Sequence, residues 1–228
     1  MTSVPERVTI AVSETTSVSG LMQCPPQFNA GLVLAHGAGA GMEHPFMVGA
    51  AEELAALRIA TLRFQFPYME NHRNRPDPPA LCHATVRAAV AAARDQWPSV
   101  PLFAGGKSFG GRMTSQAQAA AALPSVRGIV FLGFPLHPPK QPSDARAQHL
   151  SKIEIPLLFL QGTRDAFAEM ALLQPLVGRL GPIATLSLLQ DADHSFHVPA
   201  RAPRNNAQVQ SEMLNALATW IGSIIEGA

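Results

Sequence analysis

The sequence contains little cysteine and little net charge, and each scarcity narrows the possible functions. Cys24 and Cys82 have no C-x-x-C or metal-ligand spacing, so we expect two free thiols in a reducing compartment and no bound metal. The 17 lysines and arginines nearly balance the 16 acidic residues, and the net charge of +1 gives nucleic acid no electrostatic reason to bind. Nothing in the composition predicts a nucleic-acid partner.

Long hydrophobic runs are also missing. The N-terminus has no basic segment followed by an apolar one, and no apolar stretch is long enough to span a bilayer. These absences predict a soluble cytoplasmic protein without a membrane partner. The length of 228 residues, 47% of them hydrophobic, suits one domain covering residues 1–228 with a sizeable core.

The apolar residues that are present form a regular pattern. Two alternating segments, Arg7–Ser13 and Ser17–Gln23, predict an N-terminal β-hairpin. After it, short runs without polar alternation predict strands that are buried on both faces: 32–35, 59–64, 102–104, 128–132, 156–160 and 184–189. Segments with helical spacing lie between or after them: 43–57, 79–97, 111–122, 166–180 and 206–225. This alternation predicts a three-layer α/β fold with a doubly wound, mostly parallel sheet.

The pentapeptide Gly106–Gly110 has the pattern G-x-S-x-G, which is typical of a serine presented on a strained strand-to-helix turn. A P-loop is the competing interpretation, but Pro101 stands where its first glycine belongs and has no N–H to offer a phosphate. A second glycine cluster, 37–42, likewise has Met42 in place of the third glycine of a dinucleotide fingerprint. We therefore expect no nucleotide cofactor, and Ser108 becomes the candidate nucleophile.

Polar residues follow several predicted strands, and in a parallel sheet those strand ends share one edge. Ser108 follows one strand, Asp165 another and His194 a third, in the order nucleophile, acid, base. His197 competes with His194 as the base, and Asp191 and Asp193 compete with Asp165 as the acid. Together, the three strand-end matches predict a Ser-Asp-His triad.

The chain resembles the α/β-hydrolase superfamily over nearly its whole length. It is most similar to short, lidless hydrolases of the dienelactone-hydrolase type, and to small bacterial proteins related to the eukaryotic testis-expressed and NSL-complex hydrolase-like proteins. Dienelactone hydrolases use a cysteine nucleophile where this chain has Ser108. The resemblance rests on five segments: 36–41, 105–113, 133–137, 161–165 and 193–196.

The resemblance implies an acyl-enzyme on Ser108, with no cofactor. It also implies an oxyanion hole formed by the N–H groups of Phe109 and Ala38. We interpret His36 as a packed histidine that orients this loop. The residues expected to contact substrate are Gly37, Gly39, Phe66, Tyr68, Phe134 and His137.

The segment that follows the predicted strand 128–132 spans residues 133–154. It holds only about twenty residues and is rich in proline, so we expect no large lid. An open site favours small soluble esters or thioesters. Arg63, Arg73 and Arg75 are predicted to be surface residues, or otherwise to meet a substrate carboxylate. Two alternatives stay open, a silent scaffold protein and an acyltransferase, and the protein could be a monomer or a homodimer.

Overall fold

The computed structural model describes residues 4–227, which form an eight-stranded sheet with helices on both faces. The strands are β1 (Glu6–Ala11), β2 (Ser17–Gln23), β3 (Ala30–Ala35), β4 (Ile59–Phe64), β5 (Leu102–Lys107), β6 (Val126–Leu132), β7 (Leu157–Gly162) and β8 (Ala184–Leu189). Their spatial order is β1-β2-β4-β3-β5-β6-β7-β8. The hairpin β1–β2 adds to β4 in antiparallel fashion, and every other pairing is parallel.

Helices connect the parallel strands. In the described part of the chain they are α1 (Pro45–Ala56), α2 (Pro67–Glu70), α3 (Pro79–Gln96), α4 (Phe109–Ala120), α5 (Met170–Leu180) and α6 (Asn206–Glu226), with two 3-10 helices at Ala145–Lys152 and Gly181–Ile183. Asn205 caps α6 through a capping box with Gln208.

The sheet separates two hydrophobic cores. Helices α3, α4 and α5 pack on one face, and α1 and α6 pack on the other. Strand β3 shows the arrangement, since Val33 and Ala35 point into the first core while Leu32 and Leu34 point into the second. Burial on both faces explains why these strands lack polar alternation.

The predicted α/β-hydrolase fold is therefore confirmed, including the hairpin and the absence of a large lid. Between β6 and β7 the chain forms only a short 3-10 helix, Ala145–Lys152. Three helices begin at other residues than predicted: α1 begins at Pro45, α4 begins at Phe109, directly after the candidate serine, and α5 begins at Met170. Among residues 4–227, no helix combines the length and apolar character needed to cross a membrane.

Candidate active site

Ser108 lies on a sharp turn between β5 and α4, with φ +49° and ψ −113°. A positive φ is costly for serine, and surrounding contacts must hold it. Gly106 and Gly110 allow the turn to lie close to β3 because they have no side chain. An added Cβ would lie 2.3 Å from the carbonyl oxygen of Ala35 at position 106 and 2.5 Å from it at position 110. The glycines of the motif thus bring the turn against β3 and direct the hydroxyl outward.

Three strand ends meet around this hydroxyl. The Oγ of Ser108 is 2.8 Å from Nε2 of His194, whose Nδ1 is 2.6 Å from Oδ2 of Asp165. Asp165 is buried, and His194 is partly open to the cavity. The structure therefore brings together the serine, histidine and aspartate that the strand order predicted.

The Asp165 carboxylate is held entirely by donors. Gln161 Oε1 accepts the backbone N–H of Phe134 at 2.8 Å, so its amide nitrogen faces Asp165 Oδ2 at 2.5 Å. The backbone N–H of Phe167 donates to Oδ1 at 2.7 Å. Each oxygen is thus fixed as an acceptor in a buried place.

This arrangement determines the protonation of the imidazole. Because Asp165 Oδ2 accepts, Nδ1 of His194 carries the proton, and Nε2 is left to accept from the Ser108 hydroxyl. The imidazole is thereby prepared to take the proton of the serine.

The loop after β8 selects His194 rather than His197. Asp193 Oδ1 accepts the backbone N–H groups of Ser195 and His197 at 2.8 and 2.9 Å, which folds the loop into a tight turn. The side chain of His197 is exposed, and the carboxylate of Asp193 is used by the turn. Asp191 adopts a positive φ of 62°, and its backbone N–H donates to Thr163.

His36 supports the glycine-rich loop after β3. Its ring is completely buried, with Nε2 accepting the backbone N–H of Phe66 at 3.0 Å and Nδ1 donating to the carbonyl of Gly37 at 2.8 Å. Burial lowers the pKa of His36 to about 4, so the ring is neutral at pH 7. A neutral ring with one donor and one acceptor suits both partners.

The loop after β3 and the start of α4 hold Ala38 and Phe109, the two residues predicted to donate to an oxyanion. Gly37 and Ala38 line the cavity beside Ser108, and Phe109 is the first residue of α4, where backbone N–H groups lack an intrahelical partner. Gly39 was also predicted to contact substrate. It has φ +74°, is exposed to solvent and does not line the cavity.

A cavity of about 850 Å³ opens beside Ser108, between α1, α6 and the loop that carries His194. Phe46 and Phe196 stack in its wall with their ring centres 5.8 Å apart, and the Phe167 ring lies 4.3 Å from the ring of His194. Its other lining residues include Pro45, Met47, Glu53, Lys107, Asn206 and Gln210.

The structure places four predicted substrate contacts in the core instead, since none is exposed and none lines the cavity: Phe66, Tyr68, Phe134 and His137. Phe66 packs against Phe64 and Phe109, and Phe134 packs against Phe131 and Phe159.

Arg63 departs from its predicted surface position. It is 1% exposed, and its guanidinium donates to the carbonyl of Met42 and to Gln23. Arg73 is exposed and pairs with Asp77 at 2.6 Å, and Arg75 is exposed. None of the three arginines lines the cavity beside Ser108.

Sequence reasoning missed Gln161 and Lys107. A signal existed for Gln161, a polar residue at the end of an apolar strand, four residues before Asp165. Lys107 was visible as the residue before Ser108, but its place in the cavity depends on the turn. The stacking of Phe46 on Phe196 carried no local signal, since the two rings meet only through tertiary packing.

Comparison with known proteins agrees with this fold. A family model described as an alpha/beta hydrolase domain matches residues 28–222. The chain therefore belongs to the alpha/beta hydrolase family.

Solved structures share the fold at low identity. One is an α/β serine hydrolase without a lid from Xanthomonas campestris, at 19% identity, TM-score 0.74 and 96% coverage of both chains. Another is a dienelactone hydrolase from Anabaena variabilis, at 20% identity and TM-score 0.72, covering 92% of this chain and 96% of that one. A third, Est1E from Butyrivibrio proteoclasticus, has 14% identity and TM-score 0.70, with 95% and 99% coverage.

Proposed function

We propose that this protein is a serine hydrolase that cleaves small carboxylic esters or thioesters through an acyl-enzyme on Ser108. One observation carries the proposal: Ser108, His194 and Asp165 form a continuous hydrogen-bond chain that opens on a cavity. Family membership supports hydrolytic chemistry.

In the first half of the reaction, Ser108 Oγ bonds to the acyl carbon while His194 Nε2 takes its proton. The tetrahedral intermediate collapses as the imidazolium gives that proton to the leaving oxygen or sulfur. In the second half, water attacks the acyl carbon, His194 takes the proton of the water and returns it to Ser108. Asp165 stabilises the imidazolium in both halves.

The negative oxygen of each tetrahedral intermediate is assigned to the N–H groups of Phe109 and Ala38. Such donors gain strength in a site with little water, and losing one typically costs ~10²–10³ in rate. The neutral His36 ring fixes the first residues of the loop, so the donor of Ala38 is oriented before substrate arrives. We count His36 as a positioning residue.

The preference for small substrates follows from the missing lid. The connection from β6 to β7 holds a single 3-10 helix, Ala145–Lys152, and no longer helical insertion. A scaffold role is less well supported, because a protein without catalysis has no need to align Ser108, His194 and Asp165.

The experiment is hydrolysis of 4-nitrophenyl acetate by wild-type protein, by Ser108→Ala and by Ser151→Ala, in which an exposed serine is removed. We expect Ser108→Ala to lose at least ~10³-fold in kcat, and Ser151→Ala to match wild type. Adding an alcohol acceptor and measuring the new ester separates hydrolysis from acyl transfer. Equal activity of Ser108→Ala and wild type would contradict the proposal.

A further inference from the structure

The residue before Ser108 brings a positive charge into the cavity. Lys107 ends β5, and its side chain lies half-buried in the cavity wall. Its stem runs past Gly37, where an added Cβ would come 3.6 Å from Lys107 Cγ. The mechanism proposed above assigns this ammonium no role.

The ammonium of Lys107 has few partners. Its Nζ donates to the backbone carbonyl of His194 and lies 4.9 and 5.9 Å from the ring centres of Phe196 and Phe46. No ion pair within residues 4–227 includes Lys107. An ammonium has three N–H donors and a full positive charge. A neutral carbonyl and two aromatic faces therefore do not provide Lys107 with an anionic partner.

A sheltered charge without a counter-ion is expensive. Burial lowers the pKa of Lys107 to about 8, although the carboxylates of Asp165 and Asp193 act in the opposite direction. The group still carries its proton at pH 7. An acidic group of a ligand in the cavity would supply the missing counter-charge.

We propose that Lys107 binds a carboxylate of the substrate, so that the preferred substrates are esters or thioesters bearing a second, acidic group. This inference rests on the proposed function. Because Lys107 adjoins Ser108 in the chain, the acidic group belongs near the scissile bond rather than at the end of a long tail.

Glu53 gives the cavity an opposite end. It is the acidic residue of the cavity lining, and its oxygens accept Gln210 Nε2 at 2.8 Å and Ser211 Oγ at 2.9 Å. On α1 it lies seven residues beyond Phe46, about 10 Å along the helix axis. A carboxylate is thus favoured beside Lys107 and repelled beside Glu53, which orients the ligand.

The carboxylate could belong to the acyl part or to the leaving group, and two pairs of substrates distinguish them. Monomethyl succinate against its neutral isostere methyl succinamate places the charge on the acyl part. The pair 4-acetoxybenzoate and 4-acetoxybenzamide places it on the leaving group. The measurement is the ratio of kcat/KM, charged over neutral, in each pair.

The variants are Lys107→Met and the control Lys152→Met, which removes an exposed lysine outside the cavity lining. In at least one pair we expect a wild-type ratio of roughly ten or more, since hydrogen bonds to charged groups are worth about 1.5–3 kcal/mol. The ratio should fall to about one in Lys107→Met and stay unchanged in Lys152→Met. A wild-type ratio near one in both pairs, or equal loss on charged and neutral esters in Lys107→Met, would overturn the inference and limit Lys107 to holding the His194 loop.

Binding without turnover separates this inference from the proposed function. In Ser108→Ala, isothermal titration should show tighter binding of 4-acetoxybenzoate or monomethyl succinate than of the matching amide, and adding Lys107→Met should remove the difference. If the acid binds but wild-type protein hydrolyses no ester, the proposed function fails and carboxylate recognition stands. If esters are hydrolysed and neither acid is preferred, recognition alone fails.

Discussion

Replacing Asp165 by asparagine removes a charge while changing almost no volume. The carboxylate receives three donors: the Gln161 amide, the Phe167 backbone N–H and His194 Nδ1. An asparagine there has one oxygen and one NH₂ group. With the oxygen toward Phe167, the NH₂ group faces Nδ1 of His194, which must then give up its proton. The proton moves to Nε2, and the ring can no longer accept from Ser108.

The magnitude follows from this change of tautomer. A serine hydrolase whose histidine is held in the wrong tautomer loses about 10⁴ in kcat, equivalent to about 5.5 kcal/mol of transition-state stabilisation. The NH₂ group also faces the NH₂ of Gln161, and this buried clash of donors should lower the free energy of unfolding by about 1–3 kcal/mol.

The assay is kcat for 4-nitrophenyl acetate, alongside urea unfolding of each variant. The matched control is Asp191→Asn, since Asp191 was one of the two other aspartates considered as the acid and its side chain lies outside the hydrogen-bond chain. We expect Asp191→Asn to retain wild-type kcat. The role assigned to Asp165 is refuted if Asp165→Asn keeps kcat within tenfold of wild type, or if Asp191→Asn loses as much.

Three further predictions concern the frame of the site. Gly110→Ala should unfold or strongly destabilise the protein, because its Cβ would lie 2.5 Å from the Ala35 carbonyl oxygen. The control Gly178→Ala, which has open space around it in α5, should raise the free energy of unfolding by about 0.5–1 kcal/mol, measured by thermal or urea unfolding. Burial lowers the pKa of His36 from 6.5 to about 4, so the contribution of its neutral ring to stability is complete above pH 6.5 and is lost as pH falls toward 4. The free energy of unfolding of wild type minus that of His36→Asn should therefore shrink over that pH range. A constant difference would contradict it. Across 4-nitrophenyl esters, kcat/KM should decline from acetate to palmitate, because each added CH₂ forfeits up to ~0.8 kcal/mol of burial without a lid; a maximum at long chains would contradict the open site.

The fold was predictable because strands that are buried on both faces appear in the sequence as uninterrupted apolar runs. In β3 and β7 every residue is buried, so the apolar runs could only be interior strands. The turn at Ser108 was predictable for a related reason: only glycine tolerates the close approach of backbones at positions 106 and 110. Strand burial and close backbone approach each restrict which residue types a short segment can have, so a short stretch of sequence is enough to predict them.

The walls of the cavity were not predictable. Phe66 and Phe134 follow strands, as residues of a site do, but their aromatic neighbours draw them into the core. Phe46 and Phe196 stack only because α1 and the loop after β8 pack across the cavity, and 150 residues of chain separate them. Arg63 was expected at the surface, whereas its partners Gln23 and Met42 bury it in the fold. Contacts of this range leave no local pattern.

The most direct measurement is the site of covalent labelling by a fluorophosphonate, mapped by peptide mass spectrometry on wild-type protein and Ser108→Ala. Ser108 as nucleophile predicts one adduct, on the peptide that contains Ser108, and none in the variant. It also predicts much slower labelling in His194→Ala, since Nε2 no longer accepts the serine proton. An adduct on another serine, or labelling of Ser108→Ala at the wild-type rate, would contradict Ser108 as the nucleophile.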